Sequence, residues 1–120
     1  MRKILIIDDD ENLTWAIQKR FENLGFEVLA ATEGRGGVEL VEKERPDLVI
    51  LDLNMPGMNG LETLHRLREL RPGLPVLMAT GYLDPETDAQ LKVVGKVLSI
   101  AKPFSMDDLD GMLRRIAALG

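Results

Sequence analysis

Leu48-Val49-Ile50-Leu51-Asp52 is a run of four apolar residues closed by a carboxylate, and its reading decides the fold. A short apolar run without alternation fits a strand buried on both faces, as in a parallel sheet covered by helices. Two more runs share this shape and also end on ionisable residues. Lys3-Ile4-Leu5-Ile6-Ile7 meets Asp8-Asp9, and Val97-Leu98-Ser99-Ile100-Ala101 meets Lys102-Pro103. Parallel strands present their C-terminal ends at one edge of the sheet, where open α/β folds bind ligands. The three runs therefore predict one crevice holding three carboxylates and one ammonium.

Helical periods alternate with the strands. Leu13, Ile17, Phe21 and Leu24 recur at helical spacing and are closed by Gly25. Residues 26–30 predict a second strand. Val38, Leu40 and Val41 mark a second helix that ends before Pro46, loosened at its start by Gly34, Gly36 and Gly37. Leu61, Leu64, Leu67 and Arg68 predict a third helix, stopped by Pro72-Gly73, and residues 75–79 a fourth strand. Asp84 is placed to cap a helix that has Pro85 at its first position and runs to about Val94. Ser105 caps the last helix, along Leu109, Met112, Leu113 and Ile116, with Asp107 and Asp108 in its first turn and Arg114 and Arg115 toward its end. The sum is an α/β fold, (βα) five times over: a doubly wound, five-stranded parallel sheet with right-handed crossovers.

With 120 residues, 45% of them hydrophobic, the chain is expected to build one core, so residues 1–120 are read as a single domain. The net charge is −5, and the basic residues are scattered (Arg66, Arg68, Arg71, Arg114, Arg115), which argues against direct nucleic-acid binding. Without cysteine there is no disulfide framework, thiol nucleophile or cysteine-ligated zinc. The first apolar run is too short for a signal-peptide core, and none approaches the ~20 residues of a membrane span. The expected location is the cytoplasm, with no membrane partner.

Crowding Asp8, Asp9 and Asp52 at one edge is repulsive unless a cation lies among them. Mg²⁺ suits such a site, because it takes oxygen ligands and retains several waters. Asp10 reads equally well as a helix cap. Lys102 adds a fixed positive charge, and Thr80-Gly81 offers a hydroxyl beside a residue without a side chain. A nucleophilic carboxylate, a divalent cation and donors for equatorial oxygens are the parts phosphoryl transfer needs.

Four segments carry a family resemblance: Ile6-Ile7-Asp8-Asp9-Asp10, Leu51-Asp52-Leu53-Asn54-Met55-Pro56-Gly57-Met58-Asn59-Gly60, Met78-Ala79-Thr80-Gly81 and Ala101-Lys102-Pro103-Phe104. In order and spacing they resemble the receiver domains of two-component response regulators, over essentially the whole chain. The resemblance implies a flavodoxin-like sheet of strand order 2-1-3-4-5. It implies that Asp52 is the phosphoacceptor, served by a sensor histidine kinase or phosphotransfer protein. It also implies that Asp9, Asp52 and the backbone carbonyl of Asn54 hold Mg²⁺, with Asp8 acting chiefly through a metal-bound water. Thr80 matches the switch hydroxyl and Lys102 the lysine that pairs with the phosphoryl group. Pro103 becomes a candidate cis proline. Such a domain catalyses only its own phosphorylation and dephosphorylation. It signals through the face of helix 4, strand 5 and helix 5, to a downstream protein or a second copy of itself.

One position departs from the family pattern. The usual aromatic three residues before the lysine is replaced by Ser99, so the common ring-swing coupling cannot operate there. Tyr82, two residues after Thr80, is a candidate substitute, or a shield for the acyl phosphate. Two alternatives remain: a phosphorylation-independent pseudo-receiver, favoured by Ser99, and a haloacid-dehalogenase-like phosphatase using Asp8 and Asp10. The latter leaves Asp52 unused and lacks room for the usual cap. A calcium loop starting at Asp8 fails, because Leu13 and Lys19 stand where glycine and glutamate are required. Gly34-Arg35-Gly36-Gly37 fits no nucleotide motif. His65 is expected on the polar side of its helix, and Trp15 lies off the apolar stripe.

Overall fold

The computed structural model describes residues 2–55, 59–81 and 83–119. Strands and helices alternate as β1 (Lys3–Ile7), α1 (Glu11–Asn23), β2 (Glu27–Ala31), α2 (Gly34–Glu44), β3 (Leu48–Asp52), α3 (Gly60–Leu70), β4 (Val76–Thr80), α4 (Pro85–Val94), β5 (Val97–Ala101) and α5 (Met106–Leu119). All strand pairs are parallel, in the order β2-β1-β3-β4-β5. This is the flavodoxin-like architecture expected from the sequence.

Alternation along the strands divides the interior into two cores. Ile4, Ile6, Leu48, Ile50, Leu77 and Ala79 face α1 and α5, meeting Ile17, Phe21, Leu109, Leu113 and Ile116. Leu5, Ile7, Val49, Leu51, Val76 and Met78 face the other way, against Val41, Leu64, Leu67 and Leu91 of α2, α3 and α4. Because β1, β3 and β4 are buried on both faces, their ends are held rigidly where Asp8, Asp52 and Thr80 emerge.

The end of α1 corrects two expectations. Gly25 adopts φ 95° and its N–H donates to Glu22 O at 3.0 Å, while the Phe26 N–H donates to Phe21 O at 3.0 Å. This pair of bonds is a Schellman cap, in which glycine takes the left-handed position at no steric cost. The Phe26 ring meets Phe21 edge-on, centroids 5.9 Å apart. Phe26 therefore belongs to the cap, β2 starts one residue later than expected, and Leu24 leaves the apolar stripe to stand 57% exposed. β4 likewise starts at Val76, since Pro75 has no N–H for the ladder.

Gly37 corrects the picture of a loose second helix. A Cβ built on it would lie 2.6 Å from Cγ1 of the fully buried Ile7, so its lack of a side chain lets α2 rest directly on β1. α5 continues to Leu119, which leaves Arg114 and Arg115 short of its last turn. Arg68, which with Leu61, Leu64 and Leu67 marked the third helix, forks toward the residues that precede β4 and β5. It donates to the carbonyls of Leu74, Gly95 (2.7 Å) and Lys96 (3.1 Å), joining α3 to the turn between α4 and β5. His65 is exposed and Trp15 is 62% exposed, as expected. Among the described residues no helix is long and apolar enough to cross a membrane.

Candidate functional site

The C-terminal edge of the sheet brings the predicted residues together. Asp8, at the end of β1, is buried; its Oδ1 accepts from the Asp10 N–H at 2.9 Å and its Oδ2 from Lys102 Nζ at 2.8 Å. Asp52, at the end of β3, is also buried, with Lys102 Nζ 3.6 Å from its Oδ2 and the Asn54 N–H donating to its Oδ1 at 3.1 Å. The Asn54 side chain turns to β4, where Nδ2 donates to Thr80 Oγ1 at 3.0 Å. The Thr80 carbonyl accepts the Lys102 N–H at 2.8 Å. Asp52, Asn54, Thr80 and Lys102 thus form a closed circuit linking three strand ends and one loop.

The electrostatics follow from this crowding. Burial pushes the Asp52 carboxyl above its ordinary pKa; the Asn54 N–H opposes this, the Asp8 charge adds to it, Lys102 opposes it and Asp9 adds to it. Burial pulls the Lys102 ammonium down, yet its hydrogen bond to Asp8 and the charges of Asp8 and Asp52 outweigh that, and its pKa rises. One cation is shared between two buried carboxylates, so negative charge remains in excess.

Asp8, Asp9 and Asp52 each offer an oxygen within 4.8 Å of one another, and Asp9 lies at the solvent side. Hard carboxylate oxygens, an excess of negative charge and an open outer face fit a hard divalent cation such as Mg²⁺. Asp10 takes the other role foreseen for it: it caps α1, its Oδ1 accepting from the Leu13 N–H at 3.1 Å.

The loop carrying Asn54 is drawn tightly onto β3. The Gly60 N–H donates to Leu53 O at 2.8 Å, and a Cβ on Gly60 would stand 2.6 Å from Asp52 O and 2.7 Å from Leu53 O. Only glycine fits this approach. Asn59 then caps α3, accepting from the Glu62 N–H at 2.9 Å.

Ser99 lies apart from the carboxylates but lines two hollows. One, of about 250 Å³, is shared with Thr80, Gly81, Leu83, Ile100 and Ala101. The other, of about 240 Å³, opens between α4, β5 and α5 and includes Leu91, Lys92, Met112 and Arg115. The Lys102-Pro103 bond is cis, as anticipated. Pro56, Gly57, Met58 and Tyr82 lie outside the described residues. What sequence reasoning missed is the Asn54 side chain: it was credited with a backbone carbonyl alone, and its sole cue was an amide two residues past a strand-end aspartate.

The decisive comparison is with protein families: a model described as the response regulator receiver domain matches residues 4–114. The chain belongs to this family. Sporulation initiation phosphotransferase F of Bacillus subtilis is 32% identical over 117 residues, covering 98% of this chain and 94% of its own length. The alkaline phosphatase synthesis transcriptional regulatory protein PhoP of the same organism is 34% identical over 119 residues, covering 96% of this chain but 48% of itself. This chain therefore spans nearly all of one relative and about half of the other. Among solved structures, the Vibrio cholerae chemotaxis protein CheY4 superposes with a TM-score of 0.89 at 32% identity, covering 97% of this chain and 98% of that one. The HemR receiver domain of Leptospira biflexa gives 0.92 at 27% identity, covering 100% and 97%. Membership of the receiver family sets aside the dehalogenase-like phosphatase, whose second aspartate, Asp10, is in any case occupied in capping α1.

Proposed function

We propose that residues 1–120 act as one phosphorylation-dependent switch, which accepts a phosphoryl group from a histidine kinase or phosphotransfer protein onto Asp52. The closed circuit through Asp52, Asn54, Thr80 and Lys102 is the observation that carries this reading. It supplies a nucleophile, a fixed cation and a hydroxyl at the edge of a rigid sheet.

An Asp52 oxygen attacks phosphorus as the phosphorus–nitrogen bond of the donor phosphohistidine breaks, its electron pair staying on the imidazole nitrogen. The product is an acyl phosphate, which water later hydrolyses to restore the carboxylate. Lys102 offsets charge on the transferred group, and the Thr80 hydroxyl turns to donate to it. Gly81 leaves room for that group against the backbone. Asp8, Asp9, Asp52 and the Asn54 carbonyl would hold Mg²⁺, which when bound neutralises the repulsion between attacking carboxylate and incoming phosphoryl oxygens. Asp8, with both oxygens already hydrogen-bonded, is suited to act through metal-bound water.

Phosphorylation adds charge and acceptor oxygens beside Thr80, and the response passes to the face formed by α4, β5 and α5. Leu91, Lys92, Met112 and Arg115 line a hollow on that face, where a downstream protein or a second copy docks. Ser99 joins this hollow to the one beside Thr80, so the route runs through space that an aromatic ring usually occupies in the family. Tyr82, two residues after Thr80 in sequence, remains the candidate to substitute in part for the missing aromatic or to shield the acyl phosphate. The site of action is the cytoplasm.

The test is intact mass after incubation with acetyl phosphate, with and without Mg²⁺, for wild type and Asp52→Asn. One added phosphoryl group in wild type alone, dependent on Mg²⁺, is the expected result. No addition under any condition would make this a phosphorylation-independent interaction domain.

A further inference from the structure

We propose that the Asn54 side chain is a latch that holds the Thr80 hydroxyl in its resting orientation, and that its release is part of switching. This rests on the reading of Asp52 as the phosphoacceptor. Asn54 makes two bonds from two different atoms: its main-chain N–H to Asp52 Oδ1 at 3.1 Å, and its Nδ2 to Thr80 Oγ1 at 3.0 Å. Any residue at position 54 except proline keeps the first bond. The second belongs to the amide alone.

Asn54 is exposed while Thr80 is 2% exposed, so a surface amide reaches inward to fix a buried hydroxyl. Asn54 also lines a hollow of about 380 Å³ with Asn59, Leu61, Asp84 and Thr87, between the start of α3 and the N-terminal end of α4. Its amide therefore ties Thr80 Oγ1 to a residue that borders the α3–α4 side of the crevice. A hydroxyl that turns toward a phosphoryl group on Asp52 gives up this bond. One neutral hydrogen bond biases such a two-state choice by about fivefold. Asn54 is thus a positioning residue for Thr80, and its amide acts without touching the transferred group.

The test follows the ¹³C-labelled Thr80 methyl by NMR in the full chain, for wild type, Asn54→Ala and Asn54→Leu, before and after treatment with acetyl phosphate and Mg²⁺. Intact mass verifies phosphorylation, and the two wild-type signals define the resting and switched ends of a line. In both variants the unphosphorylated signal is expected to move along that line, with the switched population raised about fivefold. Leucine keeps the bulk of asparagine and loses its donor, so equal movement in Ala and Leu identifies the hydrogen bond as the cause. Movement in Ala alone, or in neither variant, overturns the latch while leaving the phosphoacceptor reading intact. A wild type that gains no mass overturns the phosphoacceptor reading, and the latch with it.

Discussion

The ammonium of Lys102 donates to Asp8 Oδ2 across 2.8 Å, joining two residues 94 positions apart. Asp8 is 4% exposed, so removing the ammonium leaves a buried carboxylate with the Asp10 N–H but without its opposite charge. Lys102→Met is expected to cost about 1–3 kcal/mol at neutral pH, read by urea unfolding. The same change removes a positive charge from the acidic cluster, so Mg²⁺ should bind more tightly by calorimetry while phosphorylation slows. Weaker Mg²⁺ binding would show that Lys102 organises the cluster rather than competing with the cation.

Burial, followed by the charges of Asp8 and Asp9, raises the Asp52 pKa despite Asn54 and Lys102. The folded state therefore favours protonated Asp52. That contribution to stability is complete below the ordinary value near ~4 and is lost as pH rises through the folded-state value. Asp52→Asn should accordingly raise the melting temperature at pH 7 in EDTA, with the gain shrinking toward pH 4. Mg²⁺ should then stabilise wild type more than the variant. A variant less stable than wild type in EDTA at pH 7 would contradict this account.

Gly60→Ala would place a methyl 2.6 Å from Asp52 O and 2.7 Å from Leu53 O. These are backbone atoms at the end of a buried strand, which cannot yield as a flexible side chain would. A loss of about 3 kcal/mol is expected by urea unfolding, together with slower phosphorylation as the loop shifts away from Asp52. A loss below about 0.5 kcal/mol, the range of an ordinary surface substitution, would show that the loop moves freely.

Asp47 accepts the backbone N–H groups of both Arg2 and Lys3 at 2.9 Å, and these bonds hold its pKa below the ordinary carboxylate value. A lowered pKa stabilises the fold above the unfolded value, and that contribution is lost as pH falls through the folded-state value. Asp47→Ala should cost about 1 kcal/mol between pH 6 and 8, discounted for its exposed position. The gap from wild type should close below pH ~4. A gap independent of pH would assign the effect to the chain rather than to the carboxylate.

Ser99→Tyr introduces a ring at a residue that borders hollows of about 250 and 240 Å³. The space permits it, so the stability change is expected within about 1.5 kcal/mol. The ring would bridge the Thr80 side to the α4–β5–α5 face. The Met112 methyl, which lines the outer hollow, should then shift further on phosphorylation than in wild type. An equal shift would mean that coupling bypasses position 99.

Much of the site was legible because the parallel sheet has one chemistry-bearing edge. Runs ending on Asp8, Asp52 and Lys102 had to converge there, whatever the details of the helices. Contacts in which one partner is backbone, or merely absent, were not legible. Arg68 reaches three carbonyls, and carbonyls leave no mark on residue identity. Gly37 and Gly60 mark close approaches, and a glycine in sequence reads equally well as slack. The Leu24 stripe failed because a helical period does not announce the turn at which Gly25 unwinds it. The Asn54 amide was hidden for a further reason: its partner, Thr80, lies 26 residues away on another strand.

The Arg68 fork sits at the opposite end of the sheet from Asp52, yet it grips the turn from which α4 hangs. α4 buries Leu91 against the body of the molecule, and its far end is closed by Asp84, which accepts from the Thr87 N–H at 2.8 Å. The helix is thus pinned at its base and lightly seated along its length, like a lever whose fulcrum lies away from the force. A rearrangement passed to α4 from beside Thr80 would therefore act on a helix whose base one arginine holds through two backbone carbonyls.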